Sequence, residues 1–172
     1  MDISACLKKY VFLWILFSCS LLLKAQSDQA GMPFIKNFSP QEYEQHPQNW
    51  AILQDNRGII YIGNGNGVIE YDGEEFRLIE MPNRTTVRSL ALGPDNRVFV
   101  GSVGEVGYLK PNKNGLTEYV SFLPRMKEED KNFTDIWNTL NIGRSTFFKS
   151  YNKLIRVTDD TLQTWSSKNK FG

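Results

Sequence analysis

From Trp50 onward the apolar residues of this chain alternate with a period of two, and the runs recur at a nearly fixed spacing. A helical stripe would repeat at 3.6, so this pattern selects short β-strands stacked as repeated units. Trp50-Ala51-Ile52-Leu53 reads as a strand and Asp55-Asn56-Arg57-Gly58 as a turn, because Asp and Asn bond their own backbone and Gly accepts a positive φ. Ile59-Ile60-Tyr61-Ile62-Gly63 has the β-branched and aromatic composition of a buried strand. Asn64-Gly65-Asn66-Gly67 is a hairpin signal, since Asn-Gly pairs suit the tight turns that match strand twist. Val68-Ile69-Glu70-Tyr71, the turn Asp72-Gly73 and Phe76-Arg77-Leu78-Ile79 complete four strands.

The pattern then returns. Val87 to Leu92, the turn Gly93-Pro94-Asp95-Asn96 and Val98-Phe99-Val100-Gly101 repeat the first copy, with Phe99 standing 38 residues after Tyr61 and Gly101 matching Gly63. A third copy begins near Asp135-Ile136-Trp137 and runs through Phe148 to Trp165; Trp50 to Trp137 and Tyr61 to Phe148 share an offset of 87. The single-repeat offsets, 38 from Tyr61 to Phe99 and 49 from Phe99 to Phe148, match the ~40–50 residues of a four-stranded propeller blade. They predict an all-β fold: a partial β-propeller of about three blades over 50–80, 87–123 and 135–165, within a propeller region 50–172. A two-layer sandwich uses similar strands but lacks the strand–Gly–turn motif at blade spacing. The repeat positions are Trp50, Asp55, Gly58, Tyr61, Gly63, Gly67, Phe99, Gly101, Trp137 and Phe148, and the recurring aromatics among them are expected to pack between blades. Lys127 to Lys131 is expected to form a solvated loop.

Three blades fall short of the 4–8 that close a propeller. The chain is therefore expected to be the N-terminal part of something larger.

The N-terminus follows different rules. Lys8 and Lys9 precede the apolar run from Tyr10 to Leu23, and Ala25 offers a small residue for cleavage. That is the secretory pattern, and the run is too short for the roughly 20 residues of a spanning helix. Residues 1–25 are read as a signal-peptide helix and 26–49 as a leader into the first blade. A lipoprotein reading through Cys19 fits less well, because Phe17 is bulky for that signal. Setting the segment aside removes both cysteines, Cys6 and Cys19, and turns the formal charge from +1 to −1. No disulfide, thiolate nucleophile or cysteine zinc site then remains, and a near-neutral chain has no electrostatic reason to bind nucleic acid.

Little chemistry is legible in the remainder. The glycines at 63, 65 and 67 resemble a phosphate loop, but a strand follows them where such a loop needs a helix. His46, the single histidine, lies in a polar segment, and Asp55, Asp72 and Asp95 lie in turns where backbone bonding accounts for them. No catalytic, cofactor or metal residue is assigned, and the chain is read as lacking enzymatic activity of its own.

The run from Gly31 to Phe38, then Tyr43 and Pro47-Gln48-Asn49-Trp50, resembles the opening of two-component regulator propeller proteins. Residues Asp55 to Gly63, with Gly67-Val68 and Tyr71-Asp72-Gly73, are similar to that family's repeat. The resemblance implies the extracytoplasmic sensor part of a bacterial membrane signalling protein, such as a hybrid sensor histidine kinase or a triple-tyrosine-domain regulator. It implies an exported, periplasmic location and an extracytoplasmic ligand, a glycan being one candidate. It also implies membrane attachment and output domains outside these 172 residues, with homodimerisation in the parent protein. The alternative is a secreted propeller that binds glycan or protein without signalling.

Overall fold

The computed structural model describes residues 34–159, 161–169 and 171; the export signal expected over 1–25 lies outside them. The chain divides into units 1–37 and 38–172. Residues 34–37 of the first have no regular secondary structure. The second unit is a partial β-propeller of three four-stranded antiparallel blades.

Blade one holds β1 (Asn49–Gln54), β2 (Ile60–Asn64), β3 (Gly67–Tyr71) and β4 (Phe76–Glu80). Blade two holds β5 (Val87–Leu92), β6 (Val98–Ser102), β7 (Val106–Pro111) and β8 (Thr117–Ser121). Blade three holds β9 (Asn138–Ile142), β10 (Ser145–Lys149), β11 (Lys153–Thr158) and β12 (Thr161–Ser166). Strands pair in sequence order, so β1, β5 and β9 are the first strand of each blade, and they lie side by side. One helical turn, α1 (Pro40–Tyr43), precedes the blades; the Glu42 carboxylate accepts the Ser39 amide at 2.6 Å.

The core forms two layers between the blades. Tyr61, Val68 and Ile79 of blade one meet Val87, Val98, Val100 and Leu109 of blade two. Phe99, Val106 and Phe122 of blade two meet Phe148, Ile155 and Val157 of blade three, joined by Ile136 and Phe133 from the connection. Phe99 and Phe122 each meet the Phe148 ring edge-on, at 6.2 and 6.3 Å between centroids.

The strand–Gly motif has a steric cause. A Cβ on Gly63 would lie 3.0 Å from Val87 Cγ1, and one on Gly101 would lie 2.4 Å from Ile136 Cγ2. In both blades the missing side chain lets the next blade's first strand, or the segment entering it, approach closely.

The charged segment expected to be a solvated loop is anchored at one point. Lys153, 4% exposed, donates from Nζ to the Glu129 carbonyl at 2.9 Å and to Asp130 Oδ1 at 3.0 Å. A buried ammonium requires such partners. Lys127 and Glu129 remain exposed.

Candidate functional site

Trp50 and Arg88 occupy equivalent positions in β1 and β5. The pairing of each strand with its neighbour shifts register there, between Asn49 and Ala51 and between Val87 and Ser89. A bulge leaves its extra residue unpaired and re-aims the side chain. Trp137 stands in the corresponding place just before β9. The three side chains converge. The Trp50 and Trp137 rings meet edge-to-face at 6.1 Å between centroids, and the Arg88 guanidinium carbon lies 4.0 Å from the first ring centre and 4.8 Å from the second.

Both indoles are open to solvent, Trp50 at 43% and Trp137 at 50%. The Arg88 side chain is 18% exposed, and its Nε donates to Asp135 Oδ1 at 2.8 Å. Its Nη1 is buried and has no hydrogen-bond partner. Cation–π attraction of about 0.5–2 kcal/mol per ring holds the guanidinium against the indoles. Beneath it, the Ser89 hydroxyl donates to the Ile136 carbonyl at 2.7 Å and lies 2.7 Å from the Thr139 hydroxyl, fixing the approach of Trp137. The expectation that Trp50 and Trp137 pack between blades is thus corrected: the bulge and the entry to β9 turn both toward solvent.

Of the other repeat positions, Tyr61 and Phe99 are buried on the faces their blades turn to the next blade. Phe148 is buried too, but on the face that blade three turns back to blade two. Phe147 occupies the face corresponding to that of Tyr61 and Phe99, because adjacent strand residues point oppositely. Gly67 closes the β2–β3 hairpin at φ 145° and has the Ile79 carbonyl where a Cβ would stand, at 2.6 Å. Gly58 lies in the β1–β2 turn of blade one, whereas Gly63 pairs with Ala51 beside the Trp50 bulge and Gly101 lies against Ile136, the residue before Trp137.

Asp55 is a turn aspartate. Its Oδ1 accepts the Arg57 and Ile59 amides at 2.9 and 3.1 Å, and its Oδ2 accepts Arg57 Nη2 at 2.7 Å. Burial pushes the Asp55 carboxyl up, but the Arg57 side chain, these two amides and the guanidinium charge outweigh it and hold the group below the usual carboxylate range. Asp72 Oδ1 likewise accepts the Glu74 and Glu75 amides, both at 2.9 Å. His46 packs its ring against Gly65, and its Nδ1 accepts the Gln48 amide at 3.1 Å. Among the described residues no three metal-ligating side chains gather.

A separate cleft of about 580 Å³ opens between blades two and three at the β5–β6 and β9–β10 hairpins, lined by Asp95, Arg97, Phe99, Arg144, Val157 and Asp159. Between blades one and two the same place is bridged: Asn96 Oδ1 accepts the Asn56 amide at 2.8 Å. The cleft exists because the β9–β10 hairpin is only Gly143-Arg144, too short to reach across. Its Arg144–Asp159 pair is exposed, and such pairs hold little energy.

No protein-family model matches the sequence, and a comparison with the curated proteins finds no match. Solved structures do match in fold. The chain is similar to the extracellular domain of a one-component system from B. thetaiotaomicron (TM-score 0.59, 16% identity, 79% of this chain and 19% of that one). It is also similar to virginiamycin B lyase from Staphylococcus aureus (TM-score 0.52, 15% identity, 76% of this chain and 44% of that one). A streptogramin B lyase aligns at TM-score 0.51 and 15% identity, over 71% of this chain and 41% of its own. The chain spans less than half of each. At such identities the likeness shows the fold alone, and the neighbours include both an extracellular domain of a one-component system and a lyase.

Arg88 is the site residue that sequence reasoning missed. It stands 38 residues after Trp50, the offset that relates Phe99 to Tyr61. The signal was present, but an arginine among scattered arginines does not advertise itself.

Proposed function

We propose that this chain is the ligand-binding propeller portion of an extracytoplasmic sensor, part of a bacterial membrane signalling protein of the two-component type. Its ligand is a carbohydrate and rests on Trp50 and Trp137. Binding is passed to an output domain in the parent protein as a change in domain or dimer arrangement, and the chain itself performs no chemistry.

The observation that carries this reading is the Trp50–Arg88–Trp137 cluster. Two half-exposed indoles gathered on a guanidinium form an apolar surface with a polar centre, and aromatic side chains cost little entropy to present. A pyranose ring has a matching character, one face of C–H groups edged by hydroxyls. The export pattern at residues 1–25, the leader's resemblance and the shared fold with the extracellular domain of a one-component system support the wider setting. The cleft at the other end of the blades supports a ligand less well, because it has no fixed aromatic surface aimed into solvent.

Tryptophan fluorescence of the chain titrated with soluble polysaccharides tests the ligand assignment. A saturable change that disappears in Trp50→Ala and in Trp137→Ala is expected. Binding that survives both substitutions places the ligand elsewhere and overturns the assignment.

A further inference from the structure

We infer that the Trp50–Arg88–Trp137 site selects neutral carbohydrate over acidic carbohydrate, with Asp135 as the residue that sets the choice. This rests on the carbohydrate reading and sharpens it.

Two features of Arg88 carry the inference. First, its Nη1 is buried without an acceptor. An unsatisfied buried donor is unfavourable, so a ligand oxygen that reaches it gains both its own hydrogen bond and relief of that cost. The two indoles meet edge-to-face beside the guanidinium, and an outward turn of either half-exposed ring uncovers Nη1 to a ligand. Second, the charge of Arg88 is already balanced by Asp135, at 2.8 Å from Nε. Asp135 is itself held in place, since its residue pairs with Val103 in an isolated β-bridge.

The ligand oxygen is therefore offered a donor without a net charge. A carboxylate or sulfate at Nη1 is attracted by the guanidinium and repelled by Asp135. Near a protein surface, two like charges about 6 Å apart repel by an amount equivalent to roughly hundredfold in affinity. That cancels most of the guanidinium's attraction, while the anion still loses hydration. A hydroxyl or ring oxygen takes the same hydrogen bond and pays neither penalty.

The test is affinity electrophoresis of the full chain through gels containing single polysaccharides. Arabinoxylan, galactomannan and laminarin are the neutral probes; polygalacturonate, alginate and chondroitin sulfate are the acidic ones. Retardation by at least one neutral polymer is expected, lost in Trp50→Ala, with every acidic polymer at least tenfold weaker. Asp135→Asn keeps the shape of the site and removes the repulsion, so acidic polymers gain about ten- to a hundredfold. An unchanged melting profile confirms that the variant folds. Trp50-dependent retardation of the wild-type chain by an acidic polymer as strong as that by any neutral one overturns this inference and leaves the carbohydrate reading standing. No Trp50-dependent retardation by any polymer overturns the carbohydrate reading, and this inference falls with it.

Discussion

Blades one and three each turn one face to blade two and one face away, and the faces turned away are treated differently. On blade one that face carries the cross-strand row Ile52, Ile62, Ile69 and Leu78, and the row Ile60, Tyr71 and Phe76. The leader covers its outer part. Phe38 meets the Tyr71 and Phe76 rings at 5.3 and 5.1 Å, and Tyr43 meets Phe76 at 5.9 Å. Ile69 is fully buried there, while Ile52 at the inner strand is 74% exposed. On blade three the corresponding face shows Leu140 at 58%, Ile142 at 66% and Trp165 at 44% exposure, and no described residue covers them. The position that is Gly63 in blade one and Gly101 in blade two is Lys149 on this face. Blade sheets are thus apolar on both sides by composition, and burial of a given side depends on what is laid against it.

The comparison is sharpest where the two blades should agree. Tyr61 and Phe148 are both essentially buried on the faces turned to blade two. Truncating either one, Tyr61→Ala or Phe148→Ala, is expected to lower stability by about 3–5 kcal/mol, read from urea denaturation midpoints. A large loss in only one of them would break the picture of two equivalent inter-blade layers.

Blade three has an anchor that blade one lacks. Lys153→Ala leaves Asp130 and the Glu129 carbonyl without their ammonium and is expected to cost roughly 3 kcal/mol. The double change Lys153→Met with Asp130→Leu should recover most of that loss. Failure of the double variant to recover would mean that charge, and not packing, holds the 127–131 segment.

The faces turned away should then diverge. Tyr43→Ala removes the buried α1 ring that covers Phe76 of blade one and is expected to cost about 2–3 kcal/mol, whereas Leu140→Ala on blade three should stay within about 0.5–1 kcal/mol. Equal losses, measured by the same denaturation series, would show that the third blade's face is covered in solution.

The smallest effect is set by pH and touches both blades. Asp130, like Asp55, is pushed up by burial, but Lys153, a hydrogen bond from Thr164 and nearby positive charge hold its carboxyl below the usual range. A carboxyl depressed in the folded state stabilises the protein fully above its unfolded value near 4. That contribution is lost as pH falls below about 4 toward the folded value. Denaturation midpoints should therefore be flat from about pH 5 to 7 and fall in acid, less steeply in Asp55→Asn.

Much of the architecture was legible in the residues themselves. Period-two alternation, Asn-Gly and Asp-Gly turns and the 38-residue offset specify strands, hairpins and blade spacing, because each depends on local backbone preference and side-chain alternation. The roles of Asp55, Asp72 and Gly67 belong to the same class, since their partners lie within a few residues or on the adjoining strand. The offset of 87, however, put Phe148 beside Tyr61 while the fold gives that face to Phe147. A one-residue difference leaves spacing almost unchanged and reverses which way a side chain points.

What tertiary structure alone decided is the site. Trp50, Arg88 and Trp137 come from three different blades, and no local rule tells a bulged tryptophan from a packed one. Only the stacking of β1, β5 and β9 brings the rings to a single guanidinium and leaves its Nη1 buried without a partner. Sequence determines each strand through short-range preference, whereas the site is a sum of long-range distances that exists only once the blades have stacked.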